Sequence, residues 1–212
     1  MFSSIFDPTN SFWKGFSKIM DLFGLSLCWL LCSLPLITLG AATTALYDSV
    51  VHGIRREEIG VYSRFFRTLR SEFKTSALIT LPGLVLALLY AVIWRVAFVV
   101  AVGGNDLAGV LVYAYRLLFC VPLAVWLFAM ATLSRFTFGP TALLKTAGQL
   151  VFFHLPSAAA VTAVAVFCVK VVLWWPFSGI FLPATAALVS SFPLERIFAP
   201  FLEEATEETQ SP

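Results

Sequence analysis

Long apolar runs separated by short polar breaks set the pattern of this chain. They lie at about 21–39, 75–102, 107–133, 155–175 and 178–198. Each is long enough to cross roughly 30 Å of hydrocarbon as a helix. The runs are continuous rather than alternating, which predicts helices, because a helix satisfies its backbone hydrogen bonds within one segment. Segment 40–57 is helical in character but only moderately apolar, with Asp48 and His52 inside it. We read it as a poor second span packed against protein. The alternative lays it in the membrane interface and leaves five spans. Gly103-Gly104-Asn105-Asp106 predicts a tight turn between the two longest runs.

Three shorter segments predict interfacial helices, at about 10–19, 62–74 and 140–153. In the first, Asn10 or Ser11 supplies a cap, Trp13, Phe16 and Ile19 share one side, and Lys14 and Lys18 point to water. In the second, Tyr62, Phe65, Phe66, Leu69 and Phe73 recur as one helical stripe, with Arg64, Arg67, Arg70 and Lys74 on the remaining sides. Such a helix rests on anionic lipid headgroups. Alternatively it offers Phe65, Phe66 and Leu69 to a partner groove while Arg64, Arg67 and Arg70 guide register. The third is nearly uncharged and opens with Pro140 after Gly139.

Composition agrees with the membrane reading. The chain has 212 residues, of which 59% are apolar and only 12% charged, with a mean hydropathy of +0.90. A soluble domain carries about 25% charged residues. The expected fold is therefore all-α: one polytopic transmembrane bundle over 1–202, of six spans, followed by an acidic disordered tail at 203–212. The first run reads as a retained span rather than a cleaved signal peptide.

The net charge of +2 conceals an asymmetry. Setting aside Glu203, Glu204, Glu207 and Glu208 leaves 14 basic against 8 acidic residues, a body of +6. The connections near Gly40, Gly103 and Pro176 carry no Lys or Arg, whereas the N-terminus, 55–74 and 135–145 do. Six spans put every basic region on one side and both termini in the cytoplasm; five spans export Lys14 and Lys18. The expected partners include the anionic headgroups of the bilayer.

Ionisable groups inside the runs are the candidate functional residues: Asp48, Arg95, Arg116 and Lys170. In the six-span arrangement Asp48 and Arg116 share a depth and are expected to form an intramembrane ion pair. Arg95 and Lys170 either snorkel to headgroups or join Arg116 in an outward-facing basic pocket for an anionic ligand. Cys28, Cys32, Cys120 and Cys168 sit in apolar runs and read as free thiols. His52 and His154 read as packed or interfacial residues. No nucleophile–base set, carboxylate pair, phosphate loop or metal spacing can be assembled. No catalysis, cofactor, metal or nucleic acid is therefore expected.

The stretch Leu34-Pro35-Leu36-Ile37-Thr38-Leu39-Gly40-Ala41-Ala42-Thr43-Thr44-Ala45-Leu46-Tyr47, followed by Arg55-Arg56-Glu57-Glu58 and Phe65-Phe66-Arg67, resembles the YesL-like family of bacterial membrane proteins. Pro35, Thr38, Gly40, Ala45, Leu46 and Tyr47 carry the likeness. Ala41 stands where that family often has proline. The resemblance implies a bacterial cytoplasmic membrane protein, often encoded beside carbohydrate importers of the ATP-binding-cassette (ABC) type, and implies no established activity. The expected function is a non-enzymatic accessory or regulatory partner of such an importer; the alternative is a small transporter or channel. A loose echo of residues 38–46 at 137–143 adds a hint of internal duplication, a transporter trait.

Overall fold

A computed structural model describes residues 11–102, 106–136 and 139–210. Asn10 and most of the 103–106 turn lie outside the described residues. Among those described there is no strand. The helices are α1 (Ser11–Ser33), α2 (Leu39–Ser49), α3 (Val61–Ser71), α4 (Phe73–Val102), α5 (Asp106–Leu133), α6 (Pro140–Phe153), α7 (Leu155–Trp174) and α8 (Leu182–Gln210). Short 3₁₀ turns at Leu36–Thr38 and Pro176–Ile180 precede α2 and α8, and a π-helical stretch, Val50–Arg55, extends α2. Among the described residues four helices are long and apolar enough to cross a membrane, through Gly15–Ser33, Phe73–Val99, Ala114–Leu133 and Leu155–Trp174.

Several expected boundaries differ. The interfacial helix foreseen at 10–19 is the first part of a continuous α1, since no proline or glycine interrupts the chain between Lys18 and Leu22. The outer side of α6 is mixed: Leu143, Ala147, Leu150 and Val151 are buried, while Leu144, Phe152 and Phe153 share the exposed side with Thr141, Lys145 and Gln149. The backbone of α8 continues through 203–210, where disorder was expected. Glu and Ala are strong helix formers, and no glycine or proline follows Pro200 in that helix to stop it.

The centre of the bundle is α2, with nine of its eleven residues buried. It packs on α1, α3, α4, α5 and α8. Alanine, glycine and threonine make up most of it, so neighbouring backbones come close. It runs antiparallel to α1: the Thr38 hydroxyl reaches the Cys32 carbonyl, Trp29 Nε1 donates to Thr43 Oγ1 at 3.2 Å, and Lys18 pairs with Glu57 at 2.6 Å. A Cβ on Gly40 would collide with Thr80 Oγ1 and lie 3.2 Å from both Met130 Sδ and the Ser76 carbonyl. Gly139, its counterpart in the sequence echo, faces open space. The two glycines of the echo therefore sit in different environments.

The α4–α5 hairpin leaves this bundle at its two prolines. Ser76, Ile79 and Thr80 are buried before Pro82, and Ala124 and Phe128 to Leu133 after Pro122. Beyond them Val85, Leu86, Leu88, Leu89, Leu117 and Leu118 are exposed. The outer hairpin is held by its own contacts, above all Tyr90 stacked on Tyr115 and Phe119 with centroids 4.5 and 4.0 Å apart.

The Gly40 contact is testable by thermal unfolding in detergent. Gly40→Ala should cost about 1–3 kcal/mol through overpacking. Gly15→Ala, placed in open space within α1, should gain about 0.5–1 kcal/mol. Equal melting temperatures for the two variants would contradict the close approach of α2 to α4.

Candidate functional site

The polar groups that an apolar bundle buries must find partners within it. Here they converge at one end, where α2, its π-helical extension, α3, the residues after α5 and α8 meet. Asp48 is 6% exposed. Its Oδ2 accepts from Thr68 Oγ1 at 2.8 Å; its Oδ1 lies 2.8 Å from His52 Nδ1 and 3.5 Å from Arg64 Nη1. The other nitrogen fork of Arg64 reaches Glu58 at 2.7 Å. Arg64 thus ties α3 to both α2 and the loop before it.

A second carboxylate, Glu195 on α8, anchors the other half. Its Oε1 accepts from Arg135 Nη2 at 2.8 Å and Nε at 3.1 Å, and from the Tyr47 hydroxyl at 3.3 Å. Arg56 approaches its Oε2 at 3.6 Å. The Arg135 side chain is only 4% exposed, and its guanidinium also lies over the Tyr47 ring.

His52 joins the two halves. Its Nδ1 faces two acceptors, Asp48 Oδ1 and, at 3.1 Å, the Asp48 carbonyl. Those partners assign the proton to Nδ1. Arg135 Nη1 lies 3.0 Å from Nε2 and 3.3 Å from Nδ1. Near-equal distances to both nitrogens place it over the ring face rather than in line with either lone pair. Arg56 Nη1 stands 3.4 Å from Nε2.

The π-helical turn fits this geometry. Arg56 N–H bonds the Val51 carbonyl five residues back, a widened winding often found at functional sites. Its neighbour Arg55 then turns to α8, donating to the Ser191 carbonyl at 3.1 Å and lying over Phe192. At the α1–α3 contact, burial first and the Asp21 carboxylate second push the Tyr62 phenol above its ordinary pKa. Burial likewise raises the Glu72 carboxyl between α3 and α4.

The structure does not bring Asp48 and Arg116 together. Gly40, in the first turn of α2, lies beside Met130, and Arg116 is fourteen residues earlier in α5, about 21 Å away along the helix. The two turns taken as equal in depth are displaced from each other. Asp48 is held instead by the Arg64 guanidinium and by contacts with His52 and Thr68, while Arg116 rests over the Trp94 ring, 5.4 Å from its centroid. Arg95, Arg116 and Lys170 are all exposed, on α4, α5 and α7.

The six-residue docking set also divides. Phe65 is fully buried, Leu69 packs against the same cluster and Arg64 turns inward. Phe66, Arg67 and Arg70 face outward.

Sequence reading passed over Arg135, Glu195 and the role of His52. The available signal was Glu195, an acid inside an apolar run, which by itself calls for a buried cation.

A family model described as "Protein of unknown function, DUF624" matches residues 22–94, from α1 into α4. The match takes in Asp48, His52, Arg64 and Thr68 and stops before Arg135 and Glu195. No curated protein and no solved structure matches the chain.

Removing Arg135 takes the close cation from the buried Glu195 carboxylate and leaves it the Tyr47 hydroxyl and the longer Arg56 approach, a loss of up to about 3–5 kcal/mol. Arg135→Ala should therefore lower stability by that order, and Arg135→Met combined with Glu195→Leu should restore much of the loss. Arg116→Ala should cost under about 1 kcal/mol. Strict additivity of the two halves of the Arg135–Glu195 cycle, read by denaturation in detergent, would show that they are not coupled.

Proposed function

We propose that the protein is a non-enzymatic, multi-pass component of the bacterial cytoplasmic membrane that serves as an accessory or regulatory partner of an ABC-type carbohydrate importer. The importer is suggested by the resemblance to the YesL-like family, which is often encoded beside such importers. In this reading the chain crosses six times, with α2 and α8 completing the four apolar helices and both termini cytoplasmic. Support for the sidedness comes from Lys18, Arg55, Arg56, Arg64 and Arg135, which gather at one end of the bundle through their contacts with Glu57, Ser191, Glu195 and Asp48.

The observation that carries the partner role is the division of α3. Its inner side is fixed by Phe65, Leu69 and the Arg64–Asp48 contact. Its outer side presents Phe66 and the guanidiniums of Arg67 and Arg70, none of them in an ion pair among the described residues. A helix held rigidly from within, with aromatic and cationic groups facing out, suits recognition of an acidic, partly apolar surface. The buried network is charge-matched, with guanidiniums against both carboxylates, and acts as the mount for that surface.

Affinity purification from gently solubilised membranes tests this. The wild-type protein should retain importer subunits in near-stoichiometric amount. Arg67→Gln with Arg70→Gln should reduce them at least about tenfold, a loss of roughly 1.4 kcal/mol, with an unchanged melting temperature. Arg64→Gln should instead destabilise the fold. An unchanged complex in the double variant would leave α3 a lipid contact only, and a lone bundle that moves a solute in liposomes would establish the transporter alternative.

A further inference from the structure

Where the α4–α5 hairpin leaves the bundle, a cavity of about 470 Å³ opens between α4, α5, the start of α2 and α6. Its size lies within the usual range of ligand pockets, about 300–1,000 Å³. Leu39 and Leu144 close its near end, and Phe119, stacked on Tyr90, closes the far end. The floor is almost wholly apolar. Its one hydroxyl, Thr80 Oγ1, already accepts from Trp126 Nε1 at 3.4 Å. Pro82 and Pro122 stand in the two walls, each withdrawing an N–H from its helix and loosening the winding at the same level.

The exposed side of the cavity is continuous with the bare apolar surface of the hairpin, within helix stretches apolar enough to lie in hydrocarbon. Two turns of a helix about 10 Å across fill roughly 850 Å³, too much for this space, whereas a single long hydrocarbon chain fits. Charge completes the site. Lys74, Leu78, Pro82 and Leu86 follow one another at four-residue spacing along one ridge of α4. The last two line the cavity, and Lys74 stands exposed below its near end. Lys145, exposed on α6, follows Leu144 directly. Neither lysine forms an ion pair among the described residues.

We infer that this cavity is a specific lipid site, holding one acyl chain of an anionic phospholipid whose phosphate meets Lys74 and Lys145. The site does not depend on the importer role, and its test reads a different face of the molecule.

The test uses the full-length protein in mild detergent, titrated with phosphatidylglycerol or phosphatidylcholine carrying brominated chains. Trp126→Phe isolates the fluorescence of Trp126. Brominated phosphatidylglycerol should quench Trp126 at a several-fold lower mole fraction than phosphatidylcholine. Lys74→Gln with Lys145→Gln should erase that preference while leaving quenching by both lipids.

A Cβ at Gly83 would make ordinary contact with Trp126, 3.7 Å from Cδ1, so Gly83→Leu extends into the cavity and should abolish the saturable quenching. If Gly83→Leu does not fold, the lysine pair decides alone. Quenching that rises in proportion to mole fraction and is equal for both headgroups would reduce the site to bulk lipid contact and overturn the inference. So would a co-purifying polypeptide that shields Trp126.

Discussion

Burial of two carboxylates in a chain with so few charges is the constraint on which the rest of the structure depends. Asp48 and Glu195 lie on α2 and α8. Leaving either unpaired would cost more than any single apolar contact in the bundle returns. Their cations come from elsewhere: Arg64 from α3 and Arg135 from the chain just past α5, with His52 between them. Satisfying both acids therefore fixes how α2, α3, α5 and α8 meet at that end. The small residues of α2 allow the approach, but the charges specify which neighbours make it.

The π-helical stretch shows how local winding serves this requirement. In a regular helix His52 and Arg55 would share a face with Asp48, about 40° and 20° from it, and Arg56 would lie roughly 80° away. Widening the turn lets His52 keep both Asp48 contacts while Arg55 and Arg56 diverge to Ser191 and Glu195 on α8. The adjoining loop carries the remaining backbone cost. Glu57 adopts a positive φ of 58°, rare for a non-glycine residue, and Gly60 takes one of 90° without that penalty. Lys18 holds Glu57 in place through its carboxylate.

Much of this was legible in the sequence, and the limits are physical. Continuous apolar runs marked α1, α4, α5 and α7, since length and hydropathy decide membrane-length helices almost alone. The stripe on α3 was equally plain, but it could not say which aromatics face inward. Phe65 and Phe66 are adjacent, and only the packed neighbours separate them. The Asp48–Arg116 pairing failed because depth was counted along each helix from its own turn. Nothing in one sequence reports that the Gly40 turn sits beside Met130 rather than level with the 103–106 turn. The true partners of Asp48 were four, sixteen and twenty residues away in sequence, nearer than the one predicted.

The bare outer hairpin and the crowded network follow from the same physics. In hydrocarbon, apolar side chains gain little by leaving lipid for protein, so helix association rests on close backbone packing and polar contacts. The described structure sorts that way. Where α2 meets its neighbours there are the Gly40 approach, the Trp29–Thr43 and Trp126–Thr80 bonds nearby, and the Asp48–Arg64 ion pair. α1 and α8 are pinned by Ser26 Oγ, which accepts from Ala184 N–H at 3.0 Å and lies 3.3 Å from the Phe181 carbonyl. Past Pro82 and Pro122, aromatic stacking within the hairpin takes over among the described residues. In a membrane setting the hairpin therefore has little reason to fold back on the bundle. The boundary between the two regimes, at the prolines, is where a lipid chain competes with protein for the same apolar walls.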